Sequence, residues 1–153
     1  MRHVGRGILA IALLLGTTRF ATAGCDLSDP TTKAQVDAAR AAADQACDQQ
    51  TPPAGCTTAS SHGQYVSCVA HQVNANTSLP KACRGAVKKC AARSTCGKPG
   101  FVTCCKTKSS GTTKCSTKSS SPACTDHAPA GGSACAGNHP SCCDACTATG
   151  CAP

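Results

Sequence analysis

Three groups of side chains in this chain have the residue types and spacing for chemistry. The first lies in "HGQYVSCVAHQVN", His62 to Asn74. Ser67 and His71 stand four residues apart, so a helix puts them on one face, and a serine beside a histidine can become an activated nucleophile. That chemistry also needs an orienting group, an oxyanion site and a walled pocket. The plainer expectation is structural. His62 closes the first turn of a helix, and His71 sits at its surface. Tyr65, Val69 and Val73 recur every four residues, with Cys68 and Gln72 beside them, and mark the buried stripe. No residue is assigned a catalytic role, and the protein is expected not to be an enzyme.

The second group is Cys124-x-x-His127, His139-x-x-Cys142 and Cys143-x-x-Cys146. Such spacings bring two ligands to one metal, as in zinc modules. Zinc held by Cys124, His127, His139, Cys142, Cys143 and Cys146 is therefore one alternative. The other is that crowded cysteines in an exported chain pair as disulfides, which is the reading preferred here.

The third group is basic. The whole chain carries 15 Lys and Arg against 7 acidic residues, all of them Asp. From Gln49 to Thr125 there are ten basic residues and no acidic one, whereas residues 24–48 hold five Asp against Lys33 and Arg40. A basic stripe of this length suits an anionic partner such as a cell-surface polymer. The candidate binding residues are Lys81, Arg84, Lys88, Lys89, Arg93, Lys98, Lys106 and Lys108. Nucleic acid is disfavoured, because single-strand binding relies on aromatic stacking and only Tyr65 and Phe101 are available after the leader. The plainer reading is a solvated face that keeps the chain in solution.

What must position these residues is written at the N-terminus and in the cysteines. Arg2, His3 and Arg6, the apolar run Ile8–Leu15 and "ATA" before Gly24 form a secretory signal peptide over residues 1–23. The predicted location is periplasmic or extracellular. All 16 cysteines follow it: Cys25, Cys47, Cys56, Cys68, Cys83, Cys90, Cys96, Cys104, Cys105, Cys115, Cys124, Cys135, Cys142, Cys143, Cys146 and Cys151. An even count in an exported chain predicts a disulfide framework. Lipidation of Cys25 at "TAGC" would leave an odd number. After the leader, large apolar residues are scarce: Leu27, Val36, Tyr65, Val66, Val69, Val73, Leu79, Val87, Phe101 and Val102. Burial of so few cannot offset the conformational entropy of ordering the chain, so cross-links must carry much of the fold.

The expected fold is small and disulfide-rich. Its first part, residues 24–96, is mainly α, with helices at about 30–49, 62–75 and 79–95. Asp29-Pro30 is an N-cap followed by proline at the first helical position. Val36, Ala39, Ala43 and Cys47 mark its buried face, and Lys33/Asp37 and Arg40/Asp44 are i,i+4 pairs. Ser61 with Gln64 fits a capping box for the second helix. The third buries Cys83, Ala86, Val87, Cys90 and Ala91 and ends at Gly97 as C-cap. Residues 97–153 form a loop-rich, cysteine-rich tail. Weak alternation in "FVTCCKTKSSGTTKCSTK" allows a β-hairpin turning near Gly111.

Parity adds a topological constraint. Seven cysteines lie up to Cys96 and nine from Cys104 on. Both counts are odd, so complete pairing requires at least one disulfide between the two parts. The neighbours Cys104-Cys105 and Cys142-Cys143 should each diverge, because a bond between adjacent residues is strained. The connectivity itself stays open.

"HGQYVSCVAH" followed by "KACRGAVKKCAARSTCGKPGFVTCC" resembles uncharacterised exported bacterial cysteine-rich proteins that share H-G-x-Y-V-S-x-x-A-H and a later A-A-R-S-x-x-G. The resemblance covers about residues 61–105. It implies a bacterial, exported context and transfers no activity, cofactor or catalytic residue. The leading expectation is a binding or structural protein of the cell envelope or extracellular space. The alternatives are metal binding by the tail and a secreted toxin or inhibitor scaffold.

Overall fold

A computed structural model describes residues 24–76 and 78–153. Residues 1–23, where a signal peptide is expected, lie outside the described residues. Three helices come first: α1 (Pro30–Asp48), α2 (His62–Ala75) and α3 (Lys81–Ala92). The Asp29 side chain accepts from the Thr32 amide, with Pro30 in the first turn, so an orphan donor of α1 is satisfied. Ser61 does the same for α2 by accepting from Gln64 N. The Gln64 side chain then reaches back to Ser60, whose amide and hydroxyl both donate to it at 2.8 Å.

The expected faces are the buried ones: Val36, Ala39, Ala43 and Cys47 on α1, and Tyr65, Cys68, Val69 and Val73 on α2. Cys83, Val87, Cys90 and Ala91 are buried on α3, while Ala86 is only partly covered. α3 is shorter at both ends than its sequence pattern. Pro80 disfavours helical backbone at Leu79, and the chain leaves the helix at Arg93 so that Ser94 can bridge to Ser141 in the tail. Gly97 is therefore not the cap of α3. It has φ +66°, and a Cβ there would lie 2.5 Å from Ser61 C and 2.7 Å from His62 N. Glycine is needed because the start of α2 passes directly against it.

The tail is more ordered than its composition indicates. β1 (Val102–Thr107) and β2 (Thr113–Lys118) form the hairpin, and β3 (Ser133–Gly137) pairs antiparallel on the other side of β1. The strand order is β2-β1-β3. Two short helices, α4 (Ser121–Thr125) and α5 (Cys142–Ala145), and a ribbon of β4 (Cys146–Thr147) with β5 (Gly150–Cys151) complete it. The third strand, the helices and the ribbon replace the irregular loops expected after residue 118. Disulfides explain how a segment without large apolar residues holds this shape.

All 16 cysteines are paired. Cys25–Cys83, Cys47–Cys68 and Cys56–Cys96 lie within the helical part. Cys104–Cys124, Cys105–Cys146, Cys115–Cys142 and Cys135–Cys151 lie within the tail. Cys90–Cys143 joins the two, the minimum that the odd counts allow. Cys104 and Cys105 diverge because successive strand residues point to opposite faces. Backbone bonds reinforce the junction: Cys142 N donates to Arg93 O at 3.0 Å and Thr95 N to Pro140 O at 2.8 Å. Buried Ser141 donates through Oγ to Cys90 O. No described helix is long and apolar enough to cross a membrane.

Candidate anion-binding face

The lysines gather where the hairpin register puts them. Lys106 on β1 stands directly opposite Lys114 on β2. Both share the sheet face of Cys104, with Ser116 and Lys118 further along β2. Like charges directly opposed across an antiparallel pair repel. Lys106 Nζ is also held, donating to His127 O at 2.6 Å. Lys106, Lys108, Lys114, Ser116 and Pro129 line a cleft of about 320 Å³. Lys114, on the edge strand, also borders a cleft of about 500 Å³ with Arg93, Thr113 and Thr147. Arg93 Nη2 donates to Cys115 O at 2.7 Å, which brings the end of α3 against the sheet.

The other candidates extend this patch rather than join it. Arg84 and Lys88 turn to the far end of α3, donating to Asn74 O at 3.3 Å and Asn74 Oδ1 at 2.7 Å. Lys98 lies over the Phe101 ring at 5.9 Å. Lys81 and Lys89 are exposed. The ion pairs among the described residues use only Lys33 and Arg40 as cations. None of the ten basic residues from Lys81 to Lys118 therefore has a carboxylate partner. Lys114 and Lys118 carry the same composition signal as their neighbours. Their adjacency to Lys106 is a matter of strand register and could be read only from the paired hairpin.

The acidic residues gather elsewhere. Asp37, Arg40, Asp44, Tyr65, Ser141 and Asp144 border a cleft of about 300 Å³ between the helical part and the tail. Arg40 does not pair with Asp44. It grips Asp144 of α5 in a two-pronged contact, with Nη1 at 2.8 Å from Oδ1 and Nη2 on Oδ2, and it also donates to Asp37. Asp44 instead accepts from Cys56 N at 2.8 Å, and burial pushes its carboxyl above the ordinary value. Burial, followed by the Asp44 charge, raises the Tyr65 phenol to about 12.

The Arg40 hydrogen bonds hold the Asp144 carboxyl below the ordinary aspartate value of 3.8. The ionised form therefore stabilises the fold above pH 3.8, and that contribution disappears as pH falls through the lower folded value. Asp44 opposes it, because its raised value favours the protonated fold. Replacing Asp144 with Asn is expected to cost about 1 kcal/mol at neutral pH, the upper end for ion pairs of this exposure. The cost should shrink toward zero in acid. Denaturant midpoints of both proteins across pH 2–7 would check this, and a pH-independent difference would exclude the linkage.

The histidines resolve differently. His62 places Nδ1 2.9 Å from Cys96 O and Nε2 3.2 Å from Ala92 O. It thus ties the first turn of α2 to carbonyls at the end of α3, a structural role. Ser67 and His71 do share a face and border a shallow groove with Gln50, Thr51, Pro52 and Gln64. No hydrogen bond joins the two among the described residues, and no third group orients the imidazole.

The tail's Cys and His residues are not brought to one point. Cys124 is the buried residue of α4 and bonds to Cys104, and Cys142, Cys143 and Cys146 bond to Cys115, Cys90 and Cys105. The carbonyls of His127 and His139 accept from Lys106 Nζ and Thr103 Oγ1. The sulfur clusters among the described residues are instead Cys105/Cys115/Cys146 and Cys105/Cys135/Cys151. Sequence spacing missed these because their members come from different strands.

The fold and the site define a small disulfide-rich protein: a helical module stapled to a cysteine-rich antiparallel sheet with an unpaired basic face. No protein-family model, curated protein or solved structure matches the chain. Eight disulfides accord with folding in an oxidising compartment.

Proposed function

We propose that this is an exported, non-enzymatic binding or structural protein of the cell envelope or extracellular space, whose basic face engages an anionic surface polymer. The observation that carries the reading is the run of ten cations without a carboxylate partner, centred where Lys106 and Lys114 oppose each other. An anion lying along β2 would neutralise that repulsion and reach Arg93 through the shared cleft. The disulfides hold the cations in place, so little ordering entropy would be lost on binding.

Heparin serves as a model polyanion for the test. The protein should bind it at low salt and release it as salt rises. A cation near an anionic surface contributes roughly 1 kcal/mol. Neutralising Lys88, Lys89 and Arg93 together should therefore weaken binding by about a hundredfold. A Lys106→Gln/Lys114→Gln pair should lower affinity while raising stability, since it removes opposed charges. Absence of binding by the native protein, or equal binding by all three, would sink the reading.

A further inference from the structure

Cys105 is flanked in register by Cys115 on β2 and Cys135 on β3. The three side chains leave the same sheet face and bond to Cys142, Cys146 and Cys151 of the C-terminal segment. Three disulfides thus stand side by side. Cys115 Sγ is within 4.8 Å of both sulfurs of Cys105–Cys146, and Cys105 Sγ is within 4.8 Å of both sulfurs of Cys135–Cys151. A small side-chain rotation brings a thiolate at one bond onto the next, which is the requirement for exchange.

The ladder is not uniform. Cys105 is buried at 1% exposure, so a solvent thiol cannot reach it directly. Cys115 and Cys142 instead both line the open cleft with Arg93 and Lys114, whereas the Cys105–Cys146 bond reaches that cleft only through Cys146. Both cations attract an anionic thiol to the cleft, and Arg93, whose Nη2 donates to Cys115 O at 2.7 Å, is placed to stabilise a departing thiolate. We propose that the three disulfides form a thiol–disulfide exchange relay, entered at Cys115–Cys142 by a small anionic thiol and left at Cys135–Cys151.

The steps balance. The external thiolate attacks Cys142 Sγ; a mixed disulfide forms, the Cys115–Cys142 bond breaks, and its electron pair leaves as the Cys115 thiolate. That thiolate attacks Cys146, forming Cys115–Cys146 and releasing the Cys105 thiolate. Cys105 attacks Cys135 or Cys151, and the other sulfur departs as a thiolate. One thiolate enters and one emerges two strand spacings away, about 10 Å. A second external thiol resolves the mixed disulfide on Cys142 and leaves as half of a small-molecule disulfide. The external thiol is the reductant, and one protein disulfide is reduced overall. None of this depends on polymer binding.

The native protein would be treated with 2-sulfanylethanesulfonate, 2-sulfanylethanol or 2-sulfanylethylamine, quenched in acid, alkylated and peptide-mapped. The expected result is an early adduct at Cys142, later alkylation at Cys135 or Cys151, and a non-native Cys115–Cys146 bond. The anionic thiol should react about tenfold faster than the cationic one. Arg93→Gln with Lys114→Gln should abolish that preference while all disulfides remain native. A Cys105→Ser/Cys146→Ser variant should confine free thiols to the first bond. The relay is overturned if free thiols never spread in the native protein, if another disulfide reacts first, or if the cationic thiol is as fast. Should the cysteine variant fail to fold, the native spreading pattern and the charge variant still decide.

Discussion

Full reduction of the eight disulfides is expected to unfold both the helical module and the sheet. Among the described residues the buried apolar set is mostly small, with Tyr65 and Leu79 the only large ones beyond valine. Eight of the buried positions are themselves half-cystines. From Thr103 onward the chain has no large apolar residue, so the sheet has no hydrophobic layer to fall back on. Removing two or three disulfides, at about 2–4 kcal/mol each, already matches the roughly 5–15 kcal/mol by which a domain is stable. Circular dichroism with and without reductant reads the outcome. The sheet signal should go first and the helical signal should follow. A reduced protein with the native spectrum would mean that packing alone suffices.

Replacing Gly97 with Ala should be strongly destabilising. The residue sits at φ +66°, which costs a residue with a Cβ about 1–2 kcal/mol. The added methyl would also meet backbone atoms of Ser61 and His62 at 2.5–2.7 Å. Backbone cannot rotate away as a side chain can, so the start of α2 must shift, at an overpacking cost of about 1–3 kcal/mol. A total loss of about 2–5 kcal/mol is expected from these two causes. Gly100 supplies the control: its φ is +78° but its Cβ would meet nothing within 4 Å. Gly100→Ala should show only the conformational cost. Equal urea midpoints for the two variants, under oxidising conditions, would refute the close-approach explanation.

Gly97 also shows how two sequence segments, His62–His71 and Ala91–Gly97, meet. His62 opens the first and Gly97 closes the second. The structure presses them together, with the His62 ring nitrogens 2.9 Å from Cys96 O and 3.2 Å from Ala92 O. These residues are the joint between α2 and the end of α3.

What the chain determined by itself is what depends on near neighbours. Helical periodicity named the buried face of α1 and, apart from half-exposed Gln72, that of α2, because burial repeats with the turn of the helix. Asp29 and Ser61 named the helix starts, because a cap acts within three residues. Odd cysteine counts demanded a cross-link, and adjacency required Cys104 and Cys105 to part. Tertiary structure decided the rest, because distant partners compete on nearly equal terms in sequence. It chose Asp144 over Asp44 for Arg40, since folding brings α5 to the Arg40 side chain. It added β3 to a hairpin that looked two-stranded. It put Lys106 opposite Lys114, and Cys105 between Cys115 and Cys135. Strand register sets those neighbours, and register is fixed only when the strands meet.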